Sequence, residues 1–403
     1  MKSVEGCFLS IGAGKNQIPL IQAAKARGLH VIAVDRDSTA PGFKDSDIRI
    51  LESTVEYRKI LHAMSRVPYT HVLKGVGSRS FGGAIHSTAY LAEKFKLTGS
   101  SPSSISLFAN KRSCKALLEK NGILVPKTLA LPVSSPKSKK EVQLPYPILA
   151  KPAEGFAKKG ISVIQDEKEW KVWSKGKKLT DWILEPKIEG NEVTVLGMVI
   201  QGQFHILSLS DKITTTEPPF IELVHIVPSA NIRMTGEIKM ICQSIVNITK
   251  LTNSPFVAEF KITETGECYL IEAAPEVGGE FLADALVKAH YSYSYFPDLL
   301  ALYIGESPKL QFLLKEPKQN KLSAILFVLP DHKTKAVPPH TDFPLIAGES
   351  IFMKEELLPT ATLLTNKEGN ARRTFVYGIS STSAQNRDEW IQSLIDRSGG
   401  RLT

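Results

Sequence analysis

Strand-like and helix-like patterns alternate through the first hundred residues. Short apolar runs at 7–11, 29–35 and 71–76 are typical of buried strands. Residues 17–27 and 82–95 instead repeat their apolar positions with the spacing of an α-helix. Strands and helices that alternate at this spacing predict a doubly wound parallel sheet.

After residue 105 the pattern changes to one helix followed by many short strands. The segment 107–120 has helical spacing, and the Pro-, Ser- and Lys-rich stretch 132–140 predicts a connecting loop. The strands that follow are predicted at 146–153, 160–164, 181–188, 192–200 and 203–209. A helix at 237–251 precedes two strands at 256–263 and 268–274, and the last hundred residues add strands at 322–329 and 374–379 and a closing helix at 386–396.

Composition narrows the classes of protein that the chain can belong to. The 403 residues are 42% hydrophobic and 23% charged, as in an ordinary globular protein of two or three subdomains. The formal net charge is +9, but the basic residues are scattered, which argues against nucleic-acid binding. Four distant cysteines without a CxxC pair favour a reducing compartment, and no apolar run approaches the roughly 20 residues of a membrane span. We therefore expect a cytoplasmic protein with no membrane partner.

The glycine turn at 12–14 is partly similar to two nucleotide-binding motifs, but it matches neither of them fully. With Asp35 about twenty residues later, the turn is similar to a dinucleotide-binding fingerprint, but Gln17 stands where the third glycine is needed. The P-loop motif also fails, because Lys15 is not followed by Ser or Thr. A tight connection between the first strand and its helix is the favoured interpretation, and cofactor binding there is the alternative.

The predicted hairpin around Thr265 and Gly266 places two carboxylates face to face. Glycine accepts the backbone conformation of a tight turn, and a turn centred there puts Glu259 directly opposite Glu272. In the same register the apolar cross-strand pairs are Ala258 with Ala273, Phe260 with Ile271 and Ile262 with Tyr269. Like charges in direct cross-strand register destabilise a hairpin, so a positive group is expected between the two glutamates.

A divalent cation would resolve this repulsion. Mg²⁺ prefers oxygen ligands and commonly binds through carboxylates and nucleotide phosphates, which predicts Glu259 and Glu272 as metal ligands. Gly278 and Gly279 follow closely and suit a loop that approaches a ligand. The alternative is a solvent-facing pair compensated by Lys261 and other basic groups.

Two further segments have the chemistry of a nucleotide site. Lys151 ends a predicted strand and precedes the flexible loop 154–160, a combination that suits phosphate, although lysine and glycine also serve solubility and turn geometry. Downstream, the segment Glu185 to Ile188 and then Glu192 could provide backbone hydrogen bonds for a purine and a carboxylate for a ribose.

Taken in order, these pieces resemble the ATP-grasp enzymes over most of the chain. Residues 11–21 and 31–35 are similar to the N-terminal pre-grasp domain of that family, in which the glycines shape the fold. The resemblance implies an α/β (α+β grasp) fold with a doubly wound parallel-sheet pre-grasp domain, a β-rich ATP lid, and a central mixed-sheet ATP-grasp domain with a C-terminal α+β portion. The boundaries expected for these four parts are 1–105, 106–188, 189–310 and 311–403.

The resemblance also implies roles for individual residues. Those expected to bind ATP are Lys111, Lys151, Gly155, Lys158, Gly160, Glu185, Lys187, Ile188 and Glu192. Glu259 and Glu272 would hold Mg²⁺, with Mn²⁺ as an alternative metal. The implied reaction activates a carboxylate as an acyl phosphate, which an amine attacks with release of ADP and phosphate. Small carboxylates and amines, such as amino acids, are the expected substrates, and a homodimer is a candidate assembly.

The chain departs from the family pattern after the predicted strand 268–274, which carries the expected metal ligand Glu272. Many ATP-grasp enzymes have Asn and Arg where this chain has Ala274 and Glu276. The expected catalytic residues are Lys151, Glu276 and Glu280. Glu276 is expected to lie beside an amine of the substrate, with Glu280 sharing this contact. The alternative is that Glu276 points outward and pairs with a surface lysine. An ATP-binding regulatory or structural protein without ligase activity is the second hypothesis. A component of a biotin-dependent carboxylase is the third, less favoured because the sequence has no biotinyl-acceptor lysine motif.

Overall fold

The computed structural model describes residues 6–67, 72–80, 82–129, 144–153, 160–279, 281–310, 321–331, 333–338, 342–365, 367–382 and 386–398. Its N-terminal part is a four-stranded parallel sheet in the order β3-β2-β1-β4, flanked by helices. The strands are β1 Cys7–Ile11, β2 His30–Val34, β3 Ile48–Ile50 and β4 Leu73–Gly77, and the helices are α1 Ile18–Ala26, α2 Tyr57–Met64 and α3 Gly83–Lys94. The predicted doubly wound parallel sheet is confirmed.

The turn after β1 is held by the chain itself. Gly12 has φ +116°, a conformation that favours glycine, and the Oδ2 atom of Asp35 accepts a hydrogen bond from the N–H of Ala13 at 3.0 Å. Gln17, which replaces the third motif glycine, is buried and accepts a hydrogen bond from the N–H of Arg79 at 3.0 Å. These contacts give the turn a structural role, as the sequence favoured.

Two helices follow, and after them a small antiparallel sheet with a third helix between two of its strands. They are α4 Pro102–Ser106 and α5 Lys111–Lys120, then β5 Ile148–Pro152, β6 Ser162–Ile164, α6 Glu167–Trp173 and β7 Trp182–Pro186, with the strands in the order β6-β5-β7. The single helix predicted from residue 107 is wrong at its start. The Oδ1 atom of Asn110 accepts from the N–H of Ser113 at 2.9 Å, and this cap begins a separate helix at Lys111.

An eight-stranded antiparallel sheet forms the centre of the structure, in the order β12-β11-β8-β9-β10-β13-β15-β14. Its strands are β8 Asn191–Ile200, β9 Gln203–Thr214, β10 Glu222–Val227, β11 Ser254–Ile262, β12 Cys268–Ala274, β13 Leu322–Val328, β14 Glu349–Glu356 and β15 Phe375–Ser381. The remaining helices are α7 Thr235–Thr249, α8 Val287–Tyr291, α9 Tyr295–Tyr303 and α10 Arg387–Arg397. The predicted α/β architecture is confirmed. The prediction of a mixed central sheet is wrong, because every strand pairing of this sheet in the described residues is antiparallel. The division at residue 311 stays a prediction.

Strand β11 shows how this sheet positions charged groups. Ala258, Phe260 and Ile262 are buried and pack with α7 in one hydrophobic cluster. Glu259 and Lys261 alternate with them and are only half-buried. Because side chains along a strand point alternately to the two faces, the apolar positions fix the face on which the charges lie.

The start of β8 depends on a close backbone approach at Gly190. A Cβ atom there would lie 2.2 Å from the carbonyl oxygen of Ile262, and φ is +144°. We expect Gly190→Ala to cost about 1–3 kcal/mol of unfolding free energy, because the backbone must move or remain strained. Thermal or denaturant unfolding measures this cost.

Gly176→Ala is the matched control, since Gly176 also has positive φ, +74°, but open space around its Cβ position. Equal losses in the two variants would show that the contact with Ile262 contributes nothing beyond backbone strain.

Candidate functional site

The hairpin of β11 and β12 brings Glu259 and Glu272 directly opposite each other, as predicted. A β-bulge after Glu259 then shifts the register, so Phe260 lies opposite Leu270 and Ile262 opposite Cys268. The predicted partners of Phe260 and Ile262, namely Ile271 and Tyr269, are therefore wrong. The shift has a packing reason, because it places Leu270 and Cys268 in the buried cluster under α7.

A separate lysine neutralises each of the two facing glutamates. Lys111 Nζ, at the start of α5, lies 3.1 Å from Glu272 Oε1, and Lys212 Nζ, on β9, lies 2.7 Å from Glu259 Oε2. Lys261, the partner named in the alternative interpretation, instead lies 3.5 Å from Glu192. The repulsion between the two carboxylates is thus offset by cations from two different elements.

The two glutamates offer an incomplete but suitable donor set for Mg²⁺. Their side chains are 26% and 49% exposed for Glu259 and Glu272, so a cation from solvent can reach both. Among the described residues no group of three or more His, Cys, Asp or Glu is arranged to hold a metal ion. Mg²⁺ commonly binds through one or two carboxylates and completes its shell with water and phosphate oxygens, which fits this pair.

A second ionic cluster lies beside the first, and the sequence analysis missed it. Lys212 Nζ lies 3.2 Å from Glu222 and 3.7 Å from Glu192, and the Lys212 side chain has no exposed surface. Burial lowers the pKa of Lys212, but Glu259, Glu222 and Glu192 together raise that pKa well above its ordinary value. The Arg373 guanidinium, 3.2 Å from Glu222, ties the cluster to the C-terminal part of the chain.

Lys212 was not predicted from the sequence because the predicted strand ended at residue 209, whereas β9 continues to Thr214. The signal that could have found it is the alternation of Ser208, Ser210 and Lys212, which share one face of the strand and are all buried.

Glu185 is the centre of a third cluster, at the small sheet. It is 1% exposed, and its carboxylate contacts Lys151 at 2.9 Å and also pairs with Lys115 of α5. Burial, helped by the nearby Lys151, lowers the pKa of Lys115 to about 8 against the attraction of Glu185. Lys115 lies one helical turn after Lys111 and was not predicted, because only its position in space shows its role.

The other predicted nucleotide ligands differ in what the structure shows of them. The N–H of Lys187 donates to the carbonyl of Pro147 at 3.0 Å, and its side chain pairs with Glu189. Ile188 follows Lys187 directly, after the end of β7. Gly160 has φ +74° and lies two residues before β6 begins. The predicted residues that lie outside the described part of the chain are Gly155, Lys158 and Glu280.

Glu276 is half-buried and lies near Glu259 and Glu272. Burial and the neighbouring charge of Glu272 raise the pKa of Glu276 to about 7, and Lys111 opposes this shift. In the described part of the chain Glu276 makes no ion pair with a surface lysine, which was the alternative expected from sequence. Glu276 is therefore a carboxyl group that feels the charges of both Glu272 and Glu259.

Comparison with known proteins fits this geometry. Residues 144–284 match the family model of the ATP-grasp domain. The fold is similar to that of L-amino acid ligase from Bacillus licheniformis, with TM-score 0.75 and 19% identity over 98% of both chains. It is also similar to phosphoribosylglycinamide synthetase from Anaerococcus prevotii, with TM-score 0.70 and 17% identity over 97% of this chain and 98% of the other.

A third similar structure is the biotin carboxylase domain of Hydrogenobacter thermophilus 2-oxoglutarate carboxylase, solved with MgADP, ADP and bicarbonate. Its TM-score is 0.69 at 16% identity, over 98% of this chain and 90% of the other. No curated protein sequence gives a significant match. In the described residues no helix has both the length and the apolar character to cross a membrane. Residues 144–284 thus match an ATP-grasp domain, and the similarity of fold to these solved structures extends over nearly the whole chain.

The raised pKa of Glu276 predicts a pH-dependent stability. The folded protein retains a proton on Glu276 between the ordinary pKa of 4.5 and about 7, so rising pH destabilises the fold through this window. Glu276→Gln removes this loss, because glutamine carries no charge at any pH. In metal-free buffer the melting temperature of the variant should rise relative to wild type as pH increases from about 4.5 to about 7.

Glu264→Gln, at the exposed turn of the same hairpin, is the control. A melting-temperature difference between Glu276→Gln and wild type that stays constant across the window would contradict the buried, negatively charged environment assigned to Glu276.

Proposed function

We propose that the protein is an ATP- and Mg²⁺-dependent ligase. It activates a carboxylate as an acyl phosphate, which an amine then attacks, and it releases ADP and phosphate. The observation that carries this proposal is the direct opposition of Glu259 and Glu272, each held by a lysine from another element. Like charges in this register are unfavourable unless cations lie beside them, and the pair lies inside the segment that matches the ATP-grasp domain.

The nucleotide would lie between the two facing glutamates, Glu259 and Glu272, and the ionic cluster around Glu185. Lys111 and Lys151 contact carboxylates at 3.1 Å and 2.9 Å, and we assign both to the phosphates. Lysine carries its charge on a flexible side chain, so each ammonium group can exchange its contact with a carboxylate for a contact with a phosphate oxygen. Gly155, Lys158 and Gly160 are proposed to close over the phosphates.

The base and the ribose would be held where β7 ends and β8 begins. We assign the adenine to the segment Glu185 to Ile188, where Glu185 is fixed by Lys115 and Lys151. Glu192 is assigned to the ribose hydroxyls, and its 23% exposed side chain can reach solvent. Glu185 is buried and paired with two lysines, which fixes its carboxylate at the end of this strand.

When bound, Mg²⁺ would neutralise charge on the transferring phosphoryl group. Glu259 and Glu272 would hold it, and Lys111 would place a second positive charge beside it. Ala274 provides no side-chain oxygen, so the two glutamates make up the protein's share of the ligands. Mn²⁺ has similar oxygen preferences and is the alternative metal.

Glu276 is assigned to the amine substrate. A carboxylate repels an anionic group and attracts an ammonium, and Glu276 has no cationic partner of its own among the described residues. Glu280 is proposed to share this role. The similar L-amino acid ligase supports amino acids as the substrate class, and the similar carboxylase domain makes bicarbonate worth including.

The remaining predictions concern location and assembly. Four free, buried cysteines support a reducing, cytoplasmic environment. A homodimer stays the predicted assembly, and the similar carboxylase domain is described as a dimer.

Release of ADP tests the function directly. Purified protein with Mg²⁺–ATP should release ADP only when a carboxylate and an amine are both present, because the acyl phosphate needs an acceptor to turn over. A panel of amino acids, small carboxylates including bicarbonate, and amines identifies the pair. Lys151→Ala should lower kcat/KM by about 10²-fold or more, since it removes a charge from the phosphate site.

Lys168→Ala, on the exposed face of α6, is the matched lysine control and should leave the rate unchanged. Nucleotide binding without ADP release for any pair would favour the second hypothesis, an ATP-binding protein that does not ligate. If Glu276→Gln keeps the full preference of wild type for amines over neutral analogues, Glu276 does not contact the amine.

A further inference from the structure

A row of directly paired residues crosses three strands of the large sheet beside the proposed metal site. Lys261 of β11 pairs with Glu192 of β8, which pairs with Lys212 of β9. Directly paired residues point to the same face of a sheet, so positive and negative side chains alternate along this row. Glu259 lies two residues before Lys261 on β11 and therefore shares that face.

Lys212 is the only member of this group whose side chain is completely inaccessible. Its ammonium lies 2.7 Å from Glu259, 3.2 Å from Glu222 and 3.7 Å from Glu192. Glu259 is 26% exposed, so it contacts the buried ammonium while remaining accessible from solvent. A cation that binds Glu259 from solvent must therefore share this carboxylate with Lys212.

This sharing has opposite effects on two kinds of ligand. The buried ammonium repels a bare divalent cation and competes with it for Glu259. It attracts the phosphate oxygens of a metal–nucleotide complex, which is anionic as a whole. The strength of both effects depends on distance and on the low dielectric around a buried charge, and solvent screens a buried charge much less than an exposed one.

We propose that Lys212 is a positioning residue that makes metal binding at Glu259 dependent on the nucleotide. It holds the Glu259 carboxylate in place and neutralises it in the empty site, so a divalent cation binds tightly only together with phosphate. Glu222, held in turn by Arg373 at 3.2 Å, keeps the ammonium within the cluster. This inference rests on the proposed nucleotide site and adds to it an order of binding.

Two affinities of Lys212→Met test the proposal. Binding of bare Mn²⁺ is measured from the electron paramagnetic resonance signal of the free ion, and binding of Mn²⁺–ADP by calorimetry. Removal of the ammonium leaves the carboxylates more negative, so the affinity for bare Mn²⁺ should rise about tenfold and that for Mn²⁺–ADP should fall about tenfold. A residue that only stabilised the fold would lower both affinities together.

Two variants serve as controls. Lys212→Arg keeps the charge and should keep both affinities near those of wild type. Lys261→Met removes a lysine from the same row that contacts Glu192 at 3.5 Å and is partly exposed, so it should change the affinity for bare Mn²⁺ far less. If Lys212→Met does not fold, the double variant Lys212→Met, Glu222→Gln removes one positive and one negative charge together and should show the same opposite changes.

Parallel loss of both affinities in a folded variant, or no change in either, overturns the proposal. Failure of the proposed function gives a different result, in which the wild-type protein binds no Mn²⁺–ADP. The measurement with bare Mn²⁺ still decides the role of Lys212 in that case, because the expected increase needs no nucleotide.

Discussion

Two like-charged carboxylates in direct cross-strand register repel each other unless cations lie beside them. In this protein Glu259 and Glu272 are held in that register by the apolar positions of β11 and β12, which pack under α7. The hydrophobic core therefore fixes where the charges lie, and other elements must supply the cations. Lys111 comes from α5 and Lys212 from β9, so two elements distant in the chain meet at this one electrostatic constraint.

A similar arrangement occurs at the small sheet. Glu185 is buried between Lys115 and Lys151, so a carboxylate again holds lysines that a phosphate could take over. Isolated buried charges cost several kcal/mol, and pairing makes them tolerable without making them strongly stabilising. An anionic ligand that binds at these lysines must thus displace a carboxylate, which couples nucleotide binding to rearrangement of the side chains.

The sequence predicted what depends on local pattern and missed what depends on distant contacts. The parallel sheet and the opposition of Glu259 and Glu272 followed from periodicity and a tight turn, and both are confirmed. The bulge that redirects the rest of the hairpin was not predictable, because it depends on which residues fit under α7. Lys115 and Lys212 were missed for a similar reason, since Lys115 pairs with Glu185 and Lys212 with Glu259, both distant in the chain.

The thermal midpoint of unfolding with and without Mg²⁺ and ATP tests the central claim, that the glutamate pair holds a metal–nucleotide complex. In wild type, Mg²⁺ and ATP together should raise the midpoint, by an amount that corresponds to about 2.7 kcal/mol at a hundredfold excess over Kd. Glu272→Gln should fold with a similar or slightly higher midpoint in metal-free buffer and lose the part of the increase that needs Mg²⁺, whereas Glu267→Gln on the same hairpin should keep it. A wild-type midpoint indifferent to millimolar Mg²⁺–ATP, or an undiminished Mg²⁺ effect in Glu272→Gln, would contradict the account.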